Sequence, residues 1–96
     1  MMREHIAAMI EEGRDLVPEH MWGAVERYLL DGIPPGHFLT AVLSNDLTEA
    51  FARADDGNAA RMHDWVRFFY CYAPRGSWGS PAKVSAWLAQ FAEQAA

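Results

Sequence analysis

The sequence predicts an all-α protein, a compact bundle of five or six short helices joined by loops that Pro and Gly residues define. Three observations support this fold class. Apolar residues recur with a helical period over most of the chain, and no stretch shows the sustained two-residue alternation of a strand. Pro, Gly, Asn and Asp divide the chain into segments of helix length. We therefore expect no β-sheet.

The first helix is expected to end at Gly13, a residue typical of helix ends. Positions 1–13 form the first helix, with Ile6, Met9 and Ile10 on its apolar side. The second helix begins near Pro18, because proline suits the first helical turn. Its apolar face carries Met21, Trp22, Val25, Tyr28 and Leu29. It should end before the segment Ile33–Gly36, in which two prolines lack the backbone N–H that a helix needs.

The segment after Gly36 keeps a helical period as far as Ala54, so periodicity alone would allow one long helix. A break is nevertheless expected at Ser44-Asn45-Asp46, because Asn and Asp compete for backbone hydrogen bonds and favour caps. Asp46 and Glu49 have the spacing of a capping box. The new helix is expected to carry an apolar face of Leu47, Ala50 and Phe51.

The last two helices follow a predicted loop and cap at positions 55–58. The most apolar helix is expected over 59–72, with Met62, Trp65, Val66 and Phe69 facing inward. Pro74 closes it. Ser80-Pro81 then combines an N-cap residue with proline at the first helical position. The buried stripe of the final helix is Val84, Trp87, Leu88 and Phe91.

Length and composition predict one helical domain over 1–96, because 96 residues with 51% apolar and 22% charged content can form a core. Four Trp, five Phe and three Tyr are many rings for so small a core, which favours a homodimer or larger assembly with rings at its interface. The start shows no signal-peptide pattern, and no apolar run approaches the roughly 20 residues of a membrane span. We expect a cytoplasmic protein without membrane contact.

Net charge and residue spacing argue against several function classes. The charge of −5 and the absence of a Lys/Arg cluster disfavour general nucleic-acid binding. The four histidines lack metal-ligand spacing, so no metal site or cofactor is expected. Cys71 and His63 would lie about 12 Å apart on one helix, too far for proton transfer, and a buried or half-buried structural thiol is expected. With no serine elbow or phosphate loop, we predict that the protein is not an enzyme.

The start of the last helix is the main candidate binding site. Arg75 can donate two hydrogen bonds to an anion, Trp78 offers a stacking face, and the helix amides after Gly79 and Ser80 attract negative charge. Each residue also has a structural explanation: Ser80 as a cap, Gly79 as a turn residue and Trp78 as a ring over the core. Two helix faces are alternative contact surfaces, His63 with Arg67 and Tyr70, and His37 with Thr40 and Ser44.

Several sequence blocks resemble small proteins of unknown function from bacteriophage and prophage genomes. The blocks are Glu26–Tyr28, Asp31–Leu47 (with its GIPPG, FLTAVL and NDL segments), Arg53–Asp56 and Trp78–Val84, and the family-like core is taken as 18–92. The resemblance implies a phage accessory protein, a class that often binds host proteins or sequesters host signals. The group carries no assigned catalytic residues. This chain has Ser77 where the group is associated with Cys, which weakens a metal or redox role for the loop.

Two functional hypotheses follow from the resemblance and from the missing enzyme motifs. The first is a non-catalytic binding protein that acts on a host protein or protein complex in the host cytoplasm. Its most concrete form is an inhibitor of host defence with anti-CRISPR action. The second is a small-ligand protein that binds or sequesters a nucleotide-type signal through Arg75, Trp78 and the start of the last helix.

Overall fold

The computed structural model describes residues 2–95, which form seven α-helices and three short 3-10 turns and contain no strand. The predicted all-α fold is therefore confirmed. The helices are α1 Met2–Gly13, α2 Trp22–Asp31, α3 His37–Leu43, α4 Leu47–Arg53, α5 Asp56–Ala60, α6 Met62–Tyr72 and α7 Pro81–Ala95. The 3-10 turns are Arg14–Leu16, Glu19–Met21 and Arg75–Ser77. Positions 1 and 96, which the predicted domain includes, lie outside the described residues.

One aromatic core, centred on α6, holds the helices together. Trp65 is fully buried and stacks on Phe69 with ring centroids 6.0 Å apart, while Phe38 of α3 meets the indole edge-on at 5.6 Å. The other fully buried core side chains are Val25, Tyr28, Leu29, Leu39, Leu43 and Phe68. Burying each large ring or branched aliphatic side chain contributes roughly 1.5–3 kcal/mol, so this cluster is the main source of stability.

The break between α3 and α4 is confirmed, and its cause is the predicted cap. The Asp46 carboxylate accepts a hydrogen bond from the Glu49 backbone N–H at 3.2 Å. Asn45 adopts a left-handed conformation with φ 63°, which Asn tolerates better than most residues. The reciprocal half of a capping box does not form, because the Glu49 side chain pairs with Arg53 instead.

Two helix starts differ from the sequence prediction. Pro18 precedes a 3-10 turn, and α2 itself begins at Trp22. The predicted loop and helix over 55–72 become two helices, α5 and α6. Because the Asp55 carboxylate accepts a hydrogen bond from the Asn58 N–H at 2.7 Å, helical structure already starts at Asp56. Arg61 then departs from helical geometry, with φ −114° and ψ 24°, and separates the two.

Three residues expected in the core lie on the surface. Val66 of α6 is 52% exposed, and Leu47 and Phe51 of α4 are 65% and 48% exposed. The helical periodicity of apolar residues did not predict this exposure, because α4 has only seven residues and buries only Ala50. Leu47 of α4 and Val66 of α6 line a common shallow groove. We call Leu47, Phe51 and Val66 together the exposed apolar surface.

Two glycines allow helices to approach closely. Gly32 ends α2 with φ 66°, and a Cβ at this position would overlap the ring of Phe91. At Gly13 a Cβ would lie 2.6 Å from the Tyr72 ring, so α1 ends directly against α6.

None of the helices within residues 2–95 combines the length and apolar character that crossing a bilayer requires.

Candidate functional site

The loop between α6 and α7, residues 73–80, is hydrogen-bonded to the core at two backbone positions. Ser77 is fully buried, and its carbonyl oxygen accepts a hydrogen bond from the Tyr28 hydroxyl at 2.6 Å. Burial raises the pKa of the Tyr28 phenol above its ordinary value, which keeps the hydroxyl protonated as a donor. The Gly79 N–H donates to the Leu43 carbonyl at the end of α3, at 2.7 Å. Side chains on this loop are therefore presented from a rigid backbone.

A surface cleft of about 340 Å³ opens beside this loop, and we call it the α6–α7 cleft. Its lining residues are Tyr70, Arg75, Trp78, Gly79 and Lys83. Four of them, Tyr70, Arg75, Trp78 and Gly79, are among the predicted contact residues. The cleft therefore contains residues of the loop together with Tyr70, which the sequence placed on an alternative contact surface of α6.

Trp78 has both a structural and an exposed role. Its indole packs against Phe69 of the core with ring centroids 6.4 Å apart, yet it is only half-buried and lines the cleft. Tyr70 is 77% exposed, the most exposed large hydrophobic residue in the described part of the chain. Two aromatic side chains therefore border the cleft, one fixed by the core and one free to adjust.

The charges at the cleft are all positive. Arg75 and Lys83 are exposed, and within residues 2–95 neither lies within ion-pair distance of a carboxylate. Four of the eight basic side chains form ion pairs with acidic side chains, namely Arg3, Arg14, Arg53 and Arg61. Arg27 and Arg67 share with Arg75 and Lys83 the lack of an ion-pair partner within residues 2–95, but only the last two line this cleft. Since the chain has a net charge of −5, two cations in one cleft create a local field opposite in sign to that of the whole molecule.

The start of α7 adds to this positive field. Ser80 is the N-cap of α7, as the sequence predicts: its hydroxyl accepts a hydrogen bond from the Lys83 N–H at 3.2 Å. Lys83 is in the first turn, where the helix dipole disfavours a cation by about 0.3–1 kcal/mol. Gly79 lies beside the lysine stem, and its φ of 122° is a conformation that residues with a side chain rarely adopt. An anion bound in the cleft would offset the cost of placing Lys83 in the first turn.

Three predicted contact residues do not line the cleft. Ser80 caps α7, and His63 and Arg67 are exposed nearer the start of α6. The alternative α3 surface, His37 with Thr40 and Ser44, lines another cleft. Asp46 and Glu49 also border that cleft. Its two carboxylates make it a poor site for an anion.

Lys83 is the cleft residue that sequence reasoning missed. The signal was its position three residues after Ser80, in the first turn of a helix, where acidic residues are normally favoured. An unfavourably placed cation directly after the candidate loop was therefore visible in the sequence. Its position in the cleft was not, because that depends on how the loop and α7 pack against α6.

Other titratable groups lie away from the cleft. All four histidines are exposed, and the described residues contain no group of three or more His, Cys, Asp or Glu side chains that could hold a metal ion. The Asn58 backbone N–H, followed by the His20 side chain, lowers the pKa of Asp55. Cys71 is exposed, so the expectation of a buried or half-buried thiol was wrong; it lies on the outer side of α6.

Comparison with known proteins gives no relative for this chain. No protein-family model matches it, and no curated protein or solved structure matches it either.

Proposed function

We propose that the chain is a non-catalytic accessory protein that binds a host protein or protein complex, and that the α6–α7 cleft binds an anionic group of this partner. The observation that carries the proposal is the pair Arg75 and Lys83, two cations without a carboxylate partner within residues 2–95, beside the ring of Trp78. Charge-assisted hydrogen bonds are about twice as strong as neutral ones. Trp, Tyr and Arg also carry much of the binding energy at protein interfaces.

A host factor is the proposed partner because the sequence blocks resemble bacteriophage and prophage proteins. In its most concrete form, the protein inhibits a host defence complex in the manner of an anti-CRISPR protein, and it acts in the cytoplasm of the host cell. The rigid loop supports an inhibitor that works by occupancy, since a preorganised surface loses little entropy when it binds.

The size of the charged cluster favours an acidic protein segment over a nucleic acid. Non-specific nucleic-acid binding rests on several phosphate contacts, about 6–10 in proteins with a strong salt dependence. The cleft offers two cations, and the net charge of −5 repels a long polyanion. A short segment with one or two carboxylates matches the cleft without incurring this repulsion.

A second candidate function is capture of a nucleotide-type ligand, and the two rings at the cleft favour it. A phosphate can bind between Arg75 and Lys83 while a base stacks on Trp78 or Tyr70. The cleft volume, about 340 Å³, falls at the lower end of the usual range for small-molecule sites. Such a ligand would make the protein a sequestering agent and not an inhibitor of a protein complex.

Titration monitored by the indole N–H signal of Trp78 tests both candidates. The probes are a capped tetrapeptide Glu-Glu-Ser-Ser and ADP. We expect the peptide to shift this signal, and Arg75→Ala and Lys83→Ala each to weaken binding about tenfold, because each removes a charge-assisted contact worth roughly 1.5–3 kcal/mol. Arg67→Ala is the matched control, since Arg67 is an exposed cation of α6 that does not line the cleft.

Each outcome decides between the candidates. Binding of ADP but not of the peptide would replace the proposed function with the second candidate. Equal losses for Arg67→Ala and Arg75→Ala would show that net charge, not the cleft, attracts the probe. For the host partner, affinity capture from lysate should retain a protein with the wild type and with Arg67→Ala, and lose it with the double variant Arg75→Glu, Lys83→Glu.

A further inference from the structure

A second cleft adjoins the α6–α7 cleft, and a larger share of its lining residues is apolar. It has a volume of about 430 Å³ and lies between α1 and the end of α6. Tyr70 and Arg75 line both clefts, so these two side chains form the boundary between them. We call the second one the α1–α6 cleft.

Most of the residues that line the α1–α6 cleft are apolar. Ile6 and Trp87, 4% and 7% exposed, form part of its floor, and Met2 and Met9 line its α1 side. Methionine is flexible and polarizable, so it adapts to partners of different shape. His5 and Arg75 are its basic lining residues. The apolar majority suits an apolar side chain of a partner.

We infer that the partner segment is an extended acidic and apolar stretch of polypeptide, whose carboxylate binds Arg75 and Lys83 while an apolar side chain fills the α1–α6 cleft. The inference rests on the proposed function and adds the identity of the partner segment. Charge complementarity carries the acidic half, because both cations lack a carboxylate partner within residues 2–95. The adjoining apolar cleft carries the other half.

The residues shared by the two clefts allow one short segment to reach both. Tyr70 and Arg75 line the α6–α7 cleft and the α1–α6 cleft, so the two clefts meet at these side chains. An extended chain advances roughly 3.3 Å per residue and places alternate side chains on the same side. An acidic residue and an apolar residue two positions apart are therefore the pair to test.

Two capped peptides of equal charge test this inference on the full chain: Glu-Glu-Ser-Leu and Glu-Glu-Ser-Ser. The leucine peptide should bind about tenfold more tightly, because it buries one additional apolar side chain. Met9→Gln should reduce its affinity to that of the serine peptide. Leu47→Gln, the same kind of change at an exposed residue that lines neither cleft, should leave the affinity unchanged.

Cys71 provides an independent measurement, since it is the only cysteine, is exposed and lines the α1–α6 cleft. The leucine peptide should slow alkylation of Cys71 by iodoacetamide several-fold, and the serine peptide should not. Equal affinity of the two peptides, with both lost in Arg75→Ala, would overturn this inference and leave the proposed function standing. Binding of ADP alone, or of no probe, would overturn both. A peptide-independent doubling of mass that protects Cys71 would assign the cleft to a second copy of the chain and overturn the inference.

Discussion

Arg75 and Ser80 lie in the same loop, but they affect different properties of the molecule. Ser80→Ala removes the hydroxyl that caps α7 and should destabilise the protein by about 1 kcal/mol. It should leave binding at the cleft unchanged. Arg75→Ala should weaken binding at the cleft and leave stability unchanged, because this exposed side chain supports no part of the core. Urea unfolding and peptide titration of both variants check this. A loss of binding in Ser80→Ala without a loss of stability would contradict it.

Tyr28 connects the core to the cleft loop through a single hydroxyl. Tyr28→Phe keeps the ring but leaves the buried Ser77 carbonyl without this donor, which costs about 1–3 kcal/mol. Because burial raises the pKa of Tyr28, the folded state retains the proton that the unfolded chain loses above about pH 10. The contribution to stability is complete below that pH and decreases above it.

The pH dependence therefore provides a control for the Tyr28→Phe variant. Chemical unfolding of both proteins between pH 8 and pH 11 (about the range in which tyrosine and lysine titrate) should show a smaller difference in stability at high pH. A difference that stays constant would show that Tyr28 does not titrate differently in the two states.

At the scale of the elements, the prolines between α2 and α3 limit the freedom of the unfolded chain. Pro34 and Pro35 follow the left-handed end of α2 at Gly32 and lead directly into α3. Replacing both with Ala should lower the free energy of unfolding by about 1–2 kcal/mol, since each proline contributes roughly 0.4–1 kcal/mol through unfolded-state entropy. Differential scanning calorimetry checks this. An unchanged or raised melting temperature would show that the turn does not determine stability.

The elements also show which predictions a sequence can support. The α3–α4 break was predictable because its cause, the Asp46 cap, is local and belongs to the chemistry of one residue. The exposure of Leu47 and Val66 was not, because periodicity shows that apolar residues share a face but not whether another element covers that face. The cleft was partly predictable: its loop residues were evident, whereas its union with Tyr70 depends on how α6 packs.

For the whole molecule, the exposed apolar surface of Leu47, Phe51 and Val66 bears on assembly. Self-association would remove these side chains from water, so we expect a homodimer or larger assembly, with at least one ring at the interface. Sedimentation equilibrium in the presence of a reductant, which prevents disulfides through Cys71, measures the mass. Phe51→Gln should shift the equilibrium towards the monomer. A mass of 10.8 kDa over a wide concentration range would contradict the expectation.

The close helix contacts at Gly13 and Gly32 predict how this sequence can diverge. A side chain at Gly13 would overlap the rings of Tyr72 and Phe68, and at Gly32 both the positive φ and Phe91 oppose one. Gly36 and Gly76 have open space where a Cβ would lie, so drift there costs little. Distant descendants of the same ancestor should therefore keep glycine at 13 and 32 even after their binding residues have been replaced. These two glycines, more than the cleft residues, would identify sequences that share a common ancestor with this chain.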